Sequence, residues 1–541
     1  MIRPPLTLRQ PAPPVPYFST TPLAADQIDG PVTVALAANL PDLYAKPLLN
    51  LLLQIPVIMT DNGEQPLIVL DQPELAGTQI TYGRLDMQAV PLIERYYAVV
   101  APFSTVQDDI SLKELQQRWQ GFNPDPLFVT AEVASLLQAL WGSTTSQIVA
   151  EDSLPQALES NENALGIVAF DHLDPTLKVL TLDGINVLDN QLQPATYPLA
   201  LAVMVRGVGA SRLASILQAP LAPLTTRDPN QLTTLIMTGV TAMSRGTAAA
   251  MSRSGVLYPT QIISATLAAA DITHVSNEVP FLDDCVVNNT LNNLVLCSHT
   301  DYWAALEAIG TDIVGLSGNH VNDFGREGAR RSLQFYKDNE IPIYGSGLTI
   351  EEACAPLQWE HNGNTFAFFA VLAFGPEGAW VTESEPGACY YYDRKEEILS
   401  AVRQAAQEVD VVAVELQYVE TYFPYPTAEQ VIEFRELRAA GADLVTGVQS
   451  HVPQALEPYG ATDPGGPGMI AYGLGNLFFD QMWSWETRTE LYARHTIYQG
   501  RLLSTEILTG VLEDFAQPRW ATPAERTEIL SRIYIAAPSR P

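Results

Sequence analysis

Apolar and polar positions fall into short blocks along this chain. From about residue 32, β-branched runs alternate with segments of helical spacing. PVTVALAA, EQPLIVL, RYYAVVAPF, ALGIVAF and YPLALAVMV read as buried strands. DLYAKPLLNLLLQ, SLKELQQRW and AEVASLLQALW read as the helices between them, with Ser111 and Glu114 spaced as a helix start. This alternation predicts α/β layering with parallel strands. Residues 206–231 begin as a helix and turn rich in Pro and Thr, which predicts an interdomain linker. A second α/β series follows. Its strands are TTLIMTG, DITHVS, DIVGLSG, TFAFFAVL, DVVAVELQ, ADLVTGV and GMIAYGLGN, and its helices include REGARRSLQFYKDN, KEEILSAVRQAAQE and TAEQVIEFRELRAA. After about residue 493 the pattern, HTIYQGRLLSTEILTGVL, becomes antiparallel.

In the second series the chemistry-bearing residues collect just after strand ends, where open α/β sheets place ligands. NEVPF follows DITHVS, GNHVNDFG follows DIVGLS, and QYVETYFPYP follows DVVAVEL. QSHVPQ follows ADLVTGV, and GNLFFDQ follows MIAYGL. One such Asn or Asp alone is an ordinary turn residue. Five strand ends carrying Asn, His, Glu, Gln and Asp predict a shared cleft.

Composition narrows the partners. The 541 residues carry 61 acids against 29 bases, a net charge of −32, and only five of the bases are lysines. Such a chain repels phosphate backbones, so nucleic acid is excluded as a general partner. The same balance speaks against tight binding of a polyanion without a local basic groove or a metal. The 47% apolar content excludes disorder for most of the chain. The most apolar stretches, Pro47–Met59 and Pro198–Val205, are too short or too broken to span a bilayer.

Four cysteines, Cys285, Cys297, Cys354 and Cys389, form no CxxC. Cys285 and Cys297 flank an Asn-rich loop and could close it as a disulfide. Four buried thiols are the alternative, and three pairings are open. The first residues show no apolar signal-peptide core. Six prolines in the first sixteen positions instead predict an extended tether, of the kind that lies between an anchor and an exported domain, or a frayed terminus.

The motifs GNHVNDFG (Gly318–Gly325), PTAEQ…LRAAGADLVTGVQSHVPQALE and YGLGNLFFDQ (Tyr472–Gln481) resemble the CapA family of capsule-synthesis proteins, within the calcineurin-like metallophosphoesterase superfamily. The resemblance covers about residues 233–500. It implies divalent cations held by Asp, Asn and His at strand ends, activating water and neutralising a phosphoryl group. Carried over by position, Glu278, Asn319, His451 and Gln417 would be the metal ligands. His320 would be the acid, oriented by Asp323, and Arg245 would face an anion. His274, Asn277, Glu420, Asn476 and Asp480 would support or compensate.

This chain departs from that pattern. Gly239-Val240 stands where the family begins Gly-Asp, Gln417 and Tyr418 where it has His-Trp, and Gly447-Val448 where it has Gly-His. A valine cannot ligate a metal. The expectation is therefore a degenerate site holding at most one divalent ion (Mn, Zn or Fe). AVVAPFSTVQDDISLKELQQRW and YPLALAVMV resemble the crossings of a periplasmic solute-binding domain of the phosphate-binding type, over about residues 30–205. Its oxyanion signatures are replaced by AANLPDLY and FVTAEVAS. Aromatic residues cluster at Tyr418, Tyr422, Phe423 and Tyr425, at Trp483 and Trp485, and at Tyr390–Tyr392, where they could stack on sugars or line a groove wall.

The fold expected from these resemblances is α/β: an N-terminal two-lobed periplasmic-binding-protein-like domain plus a metallophosphoesterase-like α/β sandwich domain. The expected boundaries are a tether at 1–29, the binding-type domain at 30–205, a linker at 206–231, the CapA-like domain at 232–511 and an extension at 512–541. The function implied is extracytoplasmic, in synthesis, export or retention of a cell-surface polymer such as poly-γ-glutamate. The implied partners are that polymer or its synthase complex, with an unidentified small ligand for the first domain. A mononuclear phosphoesterase and a ligand-binding sensor are the alternatives.

Overall fold

A computed structural model describes residues 31–60, 63–221, 223–288, 290 and 292–539. The tether expected at 1–29 lies outside the described residues. The chain divides into two compact units, one of residues 31–173 and 177–230, the other of 231–539 with 174–176.

The first unit is a two-lobed α/β body. Its main path of strands runs Val57–Thr60, Gly63–Val69, Val32–Leu36, Thr78–Arg84, Ala200–Gly207, Val90–Pro102, Leu165–Ala169, Leu127–Val129 and Gln147–Ile148. The long strand Val90–Pro102 belongs to both lobes. Its first half pairs with Ala200–Gly207, its second with Leu165–Ala169 and Leu177–Leu182. These central pairings are antiparallel, whereas the flanks around Val32–Leu36 and Leu127–Val129, and the short pairing of Leu177–Leu182 with Asp109–Ile110, are parallel. The expectation of parallel strands throughout is corrected here. Both central strands are largely buried on both faces, and such runs do not encode strand direction.

The 206–231 stretch is not a free linker. Helix Ala210–Gln218 buries Leu213, Ala214 and Leu217. Beyond it, Thr226 Oγ1 accepts from the Tyr96 backbone N–H at 2.9 Å, and the buried Arg227 donates through Nε to the Val187 carbonyl at 2.9 Å. Composition marked this stretch as a loop, but its hydrogen bonds tie it into the first unit.

The second unit is a sandwich of two mixed sheets. One has the order Ile343–Tyr344, Thr311–Gly315, Ile272–Asn277, Leu232–Thr241, Thr489–Tyr498, Arg501–Glu513, Gln517–Trp520. The other has the order Leu357–His361, Asn364–Leu372, Val411–Gln417, Leu444–Val448, Gly468–Ala471, Leu456–Tyr459. Four neighbouring strands of each sheet run parallel, so their polar ends gather. The sheets meet through apolar side chains and one buried polar seam. There Glu415 Oε1 accepts from Ser276 and Ser317 at 3.1 and 2.7 Å. The expected extension at 512–541 is part of this unit. Strand Gln517–Trp520 joins the first sheet, and helix Pro523–Ile535, started by a Thr522–Glu525 capping box, buries Ile529, Leu530 and Ile533.

Cys285 pairs with Cys297 and Cys354 with Cys389, with Cα separations of 6.0 and 5.1 Å. Among the described residues no helix is long and apolar enough to cross a membrane.

Candidate functional site

Each parallel strand of the sandwich delivers a polar side chain as it ends. Glu278 follows Ile272–Asn277, Asn319 lies beyond Thr311–Gly315, Gln417 closes Val411–Gln417, and Gln449 and His451 follow Leu444–Val448. Gly318 lets two of these loops touch, since a Cβ there would fall 2.3 Å from the Glu278 Cα. Arg245, Gln449 and His451 all have left-handed backbone, with φ of 43°, 86° and 55°. Strain of this kind is held only where surroundings over-determine it, and it gathers at functional sites.

Gln417 is the hub. Its Nε2 donates to Asn319 Oδ1 at 2.9 Å and to Gln449 Oε1, and lies 3.5 Å from Glu278 Oε2. Three acceptor oxygens thus converge on one amide NH2. Gln417 Oε1 is buried without a partner. Glu278 is 2% exposed. Burial pushes its pKa up to about 7, and the nearby His320 pulls it partly back.

His320 pairs through Nδ1 with Asp323 Oδ2 at 2.7 Å, and the same carboxylate oxygen accepts from the Leu296 backbone N–H at 2.7 Å. Burial alone would lower the imidazole's pKa. The Asp323 hydrogen bond and the charge of Glu278 outweigh it and raise the pKa above the ordinary value.

His451 Nδ1 meets Asn476 Oδ1 at 2.9 Å. The Asn476 amide nitrogen faces the Thr487 carbonyl at 3.2 Å, so its oxygen must face the ring. The ring therefore donates from Nδ1 and keeps the lone pair at Nε2. Burial lowers this pKa to about 4, so the imidazole is neutral. His451 lies within electrostatic reach of Glu420, His320 and Arg245, and Glu278 within reach of His320, Asp323, Arg245 and Glu420. These residues share one neighbourhood.

The remaining expected members have partners of their own. Arg245 and Asp480 form a buried ion pair at 2.6 Å, and the Gly246 N–H holds the other Asp480 oxygen at 2.8 Å. Asp480 is therefore a counter-ion for Arg245, not a spare ligand. His274 lies mid-strand in the sandwich seam, with Nε2 3.0 Å from Glu415 Oε2. The Asn277 amide donates to the Val279 carbonyl and the Tyr336 hydroxyl. Neither His274 nor Asn277 joins the hub, and Asn476 orients His451. Glu420 is exposed and accepts from the Tyr422 hydroxyl.

Gln449 and Glu415 are the residues that sequence reasoning passed over. Gln449 stood within QSHVPQ, but the altered position was assigned to Val448 beside it. The two neighbours face different surroundings. Val448 turns into an apolar cluster with Val240, Ala242, Val279, Leu296 and Phe479, while Gln449 faces the hub. Glu415 was legible as the one acid in the apolar strand VVAVELQ.

The residues do not fit a two-metal centre. The places expected to supply a carboxylate and an imidazole are Val240 and Val448. Among the described residues no three or more His, Cys, Asp or Glu side chains are grouped to hold an ion. The oxygens that do converge, from Glu278, Asn319 and Gln449, already face an N–H donor.

Residues 234–481 match the family described as bacterial capsule synthesis protein PGA_cap. The capsule biosynthesis protein CapA of Bacillus anthracis is 23% identical over 327 residues, 59% of this chain and 76% of that protein. The PGA biosynthesis protein CapA of Bacillus subtilis (strain 168) is 26% identical over 180 residues, 33% of this chain and 45% of that protein. An ABC-type phosphate transport receptor from Vibrio cholerae aligns with 35% of this chain and 93% of its own, at 11% identity and a TM-score of 0.24.

Proposed function

We propose, from the match of residues 234–481 to the bacterial capsule synthesis family, that the chain acts outside the cytoplasmic membrane in making, exporting or retaining a cell-surface polymer of the capsule or poly-γ-glutamate type. The observation that carries this reading is that the family match spans every strand end building the site, from Val240 to Gln481. Two disulfides support an oxidising compartment. The altered hub supports a role in handling polymer without two-metal hydrolysis. Deleting the gene in its own host and measuring cell-bound and released polymer tests the reading. Loss or release of the polymer is expected, and an unchanged surface polymer would defeat it.

One observation favours a second reading, a mononuclear metal-dependent phosphoesterase. Turning the Gln417 carboxamide over would bring its unpartnered oxygen among those of Glu278, Asn319 and Gln449. Such an oxygen-rich set repels itself unless a cation joins it. Manganese-dependent hydrolysis of a phosphodiester by chelator-stripped protein, lost in Glu278→Gln, would support it. Absence of turnover leaves the polymer-handling reading.

A further inference from the structure

Three buried tyrosines of the first unit bring their hydroxyls into one region. Tyr44 lies on helix Asp42–Leu52, Tyr82 on strand Thr78–Arg84 and Tyr97 on strand Val90–Pro102. Their side chains are 8%, 4% and 1% exposed. The Tyr44 hydroxyl leans on the Arg95 side chain, while the Tyr82 and Tyr97 Oη atoms are buried and unpaired. Buried polar atoms are nearly always hydrogen-bonded, so two unpaired hydroxyls in one region call for a cause.

Register explains their convergence. Tyr82 lies across Val203, which in turn lies across Ile93. Side chains alternate along a strand, so Tyr82, Ile93, Arg95 and Tyr97 project from one face of the sheet. Tyr44 packs over that face, its ring centroid 6.1 Å from that of Tyr82. Burial raises all three hydroxyl pKa values, and Tyr97 feels both Tyr44 and Tyr82.

Two charges border the cluster. Arg95, half-buried, donates to the Glu94 and Pro223 carbonyls at 2.9 and 3.4 Å, and its positive charge acts on Tyr44 and Tyr97. Glu132, exposed in the first turn of helix Ala131–Trp141, acts on all three tyrosines. The cluster is therefore rich in donors, with one cation and one anion beside it.

We propose that Tyr44, Tyr82, Tyr97, Arg95 and Glu132 form a binding site for a small zwitterion of the α-amino-acid class. Its carboxylate answers Arg95 and the tyrosine hydroxyls, and its ammonium answers Glu132. The two protein charges cancel, so a doubly charged anion such as phosphate gains no net attraction. A molecule with separated charges meets both. This inference stands independently of the capsule reading.

The test uses the full chain in thermal unfolding and calorimetric titration. Glycine, L-alanine, L-glutamine, L-glutamate and D-glutamate are the probes, with inorganic phosphate as contrast. At least one amino acid should raise the melting temperature of the first unit by several degrees at saturation. Tyr97→Phe should abolish that shift, and Glu132→Gln should weaken binding about tenfold or more. Without ligand, Tyr97→Phe should melt no lower than the parent, because the hydroxyl it removes has no partner. The proposal is overturned if no amino acid shifts the melting, if phosphate alone does, or if Tyr97→Phe keeps the shift. A lower melting point of unliganded Tyr97→Phe would equally overturn it, since the hydroxyl would then be structural.

Discussion

The two walls of the sandwich site are built in the same way, from loops that follow parallel strands, yet they end in opposite chemistry. On one wall Glu278, Asn319, Gln417 and Gln449 meet around a single amide nitrogen, with His320–Asp323 and His451–Asn476 beside them. On the other, Val240, Ala242, Val279, Leu296, Val448 and Phe479 close into an apolar cluster, none more than 3% exposed. Removing one partner of a buried charged set strands the others, whereas apolar replacement of matching shape leaves nothing desolvated. The apolar wall is of the second kind. The polar wall satisfies its oxygens with an N–H from Gln417.

The largest effect should come from placing a charge on the apolar wall. Val240→Asp buries a carboxyl among Val448, Ala242 and Phe479, and should cost on the order of 5 kcal/mol in chelator-treated protein. Urea unfolding of the full chain measures this. Wild type should bind manganese weakly by calorimetry, and Val240→Asp more tightly, because the new carboxylate attracts a cation. Tight binding of two ions by wild type would show that the polar wall is a metal centre and erase the contrast between the walls.

Arg245 comes next, because it seals the boundary between them. Its guanidinium pairs with buried Asp480 and lies 5.0 Å from the centroid of the Phe479 ring. Arg245→Leu strands Asp480 and should cost about 4 kcal/mol. Adding Asp480→Leu should recover part of the loss. A double variant weaker than Arg245→Leu alone would mean that Asp480 has another essential partner.

The polar wall was largely legible in the sequence. Glu278, Asn319, Gln417 and His451 each follow a β-branched run, and strand ends converge in a parallel sheet whatever the details of packing. What lay outside the pattern was direction. Val448 and Gln449 are adjacent, and only the left-handed turn at Gln449 decides which of them enters the apolar cluster. Asp480 read as a spare carboxylate because its partner Arg245 is 235 residues away in sequence. The antiparallel centre of the first unit was hidden for a related reason. Val90–Pro102 is buried on both faces, so periodicity carried no sign of its partners. The existence of the seven main strands of the second unit needed no such information, since each apolar run is bounded by its own helix or turn.

A third prediction, of about 3 kcal/mol, concerns pH. The Glu278 carboxyl, ordinarily near 4.5, titrates at about 7 when folded. Between those values the folded state keeps a proton that the unfolded state has lost, so this group's contribution falls as pH rises, by about 3 kcal/mol in all. His451 moves the other way, from 6.5 to about 4. Between those values the unfolded state takes a proton that the folded state refuses, so its contribution rises with pH by a similar amount. From about pH 4.5 to 6.5 the two offset each other. Glu278→Gln removes one side. Its stability relative to wild type should rise from pH 4.5 to 7, measured by denaturant unfolding at fixed ionic strength. A difference that stays flat with pH would show that Glu278 is ionised in the folded protein.

The smallest effect probes how the polar wall is kept dry. Tyr422 is 38% exposed, its ring stacked on His451 with centroids 6.1 Å apart and planes 19° apart, and its edge against Trp483. Its hydroxyl reaches exposed Glu420, so Tyr422→Phe should change stability by less than about 0.5 kcal/mol. Tyr422→Ala removes the ring itself. Burial is the leading cause of the low His451 pKa, and the lost cover lets water reach the imidazole. The Nδ1 hydrogen bond to Asn476 is untouched by this change, so the tautomer stays fixed while desolvation weakens. The His451 pKa should therefore move up from about 4 toward the ordinary 6.5, read by NMR titration of the ring carbon-bound protons. Tyr422→Phe should leave it unmoved, since the stacked face remains. An unchanged pKa in Tyr422→Ala would place the dry environment of His451 in Phe479 and the apolar wall, making the two walls one continuous core rather than two.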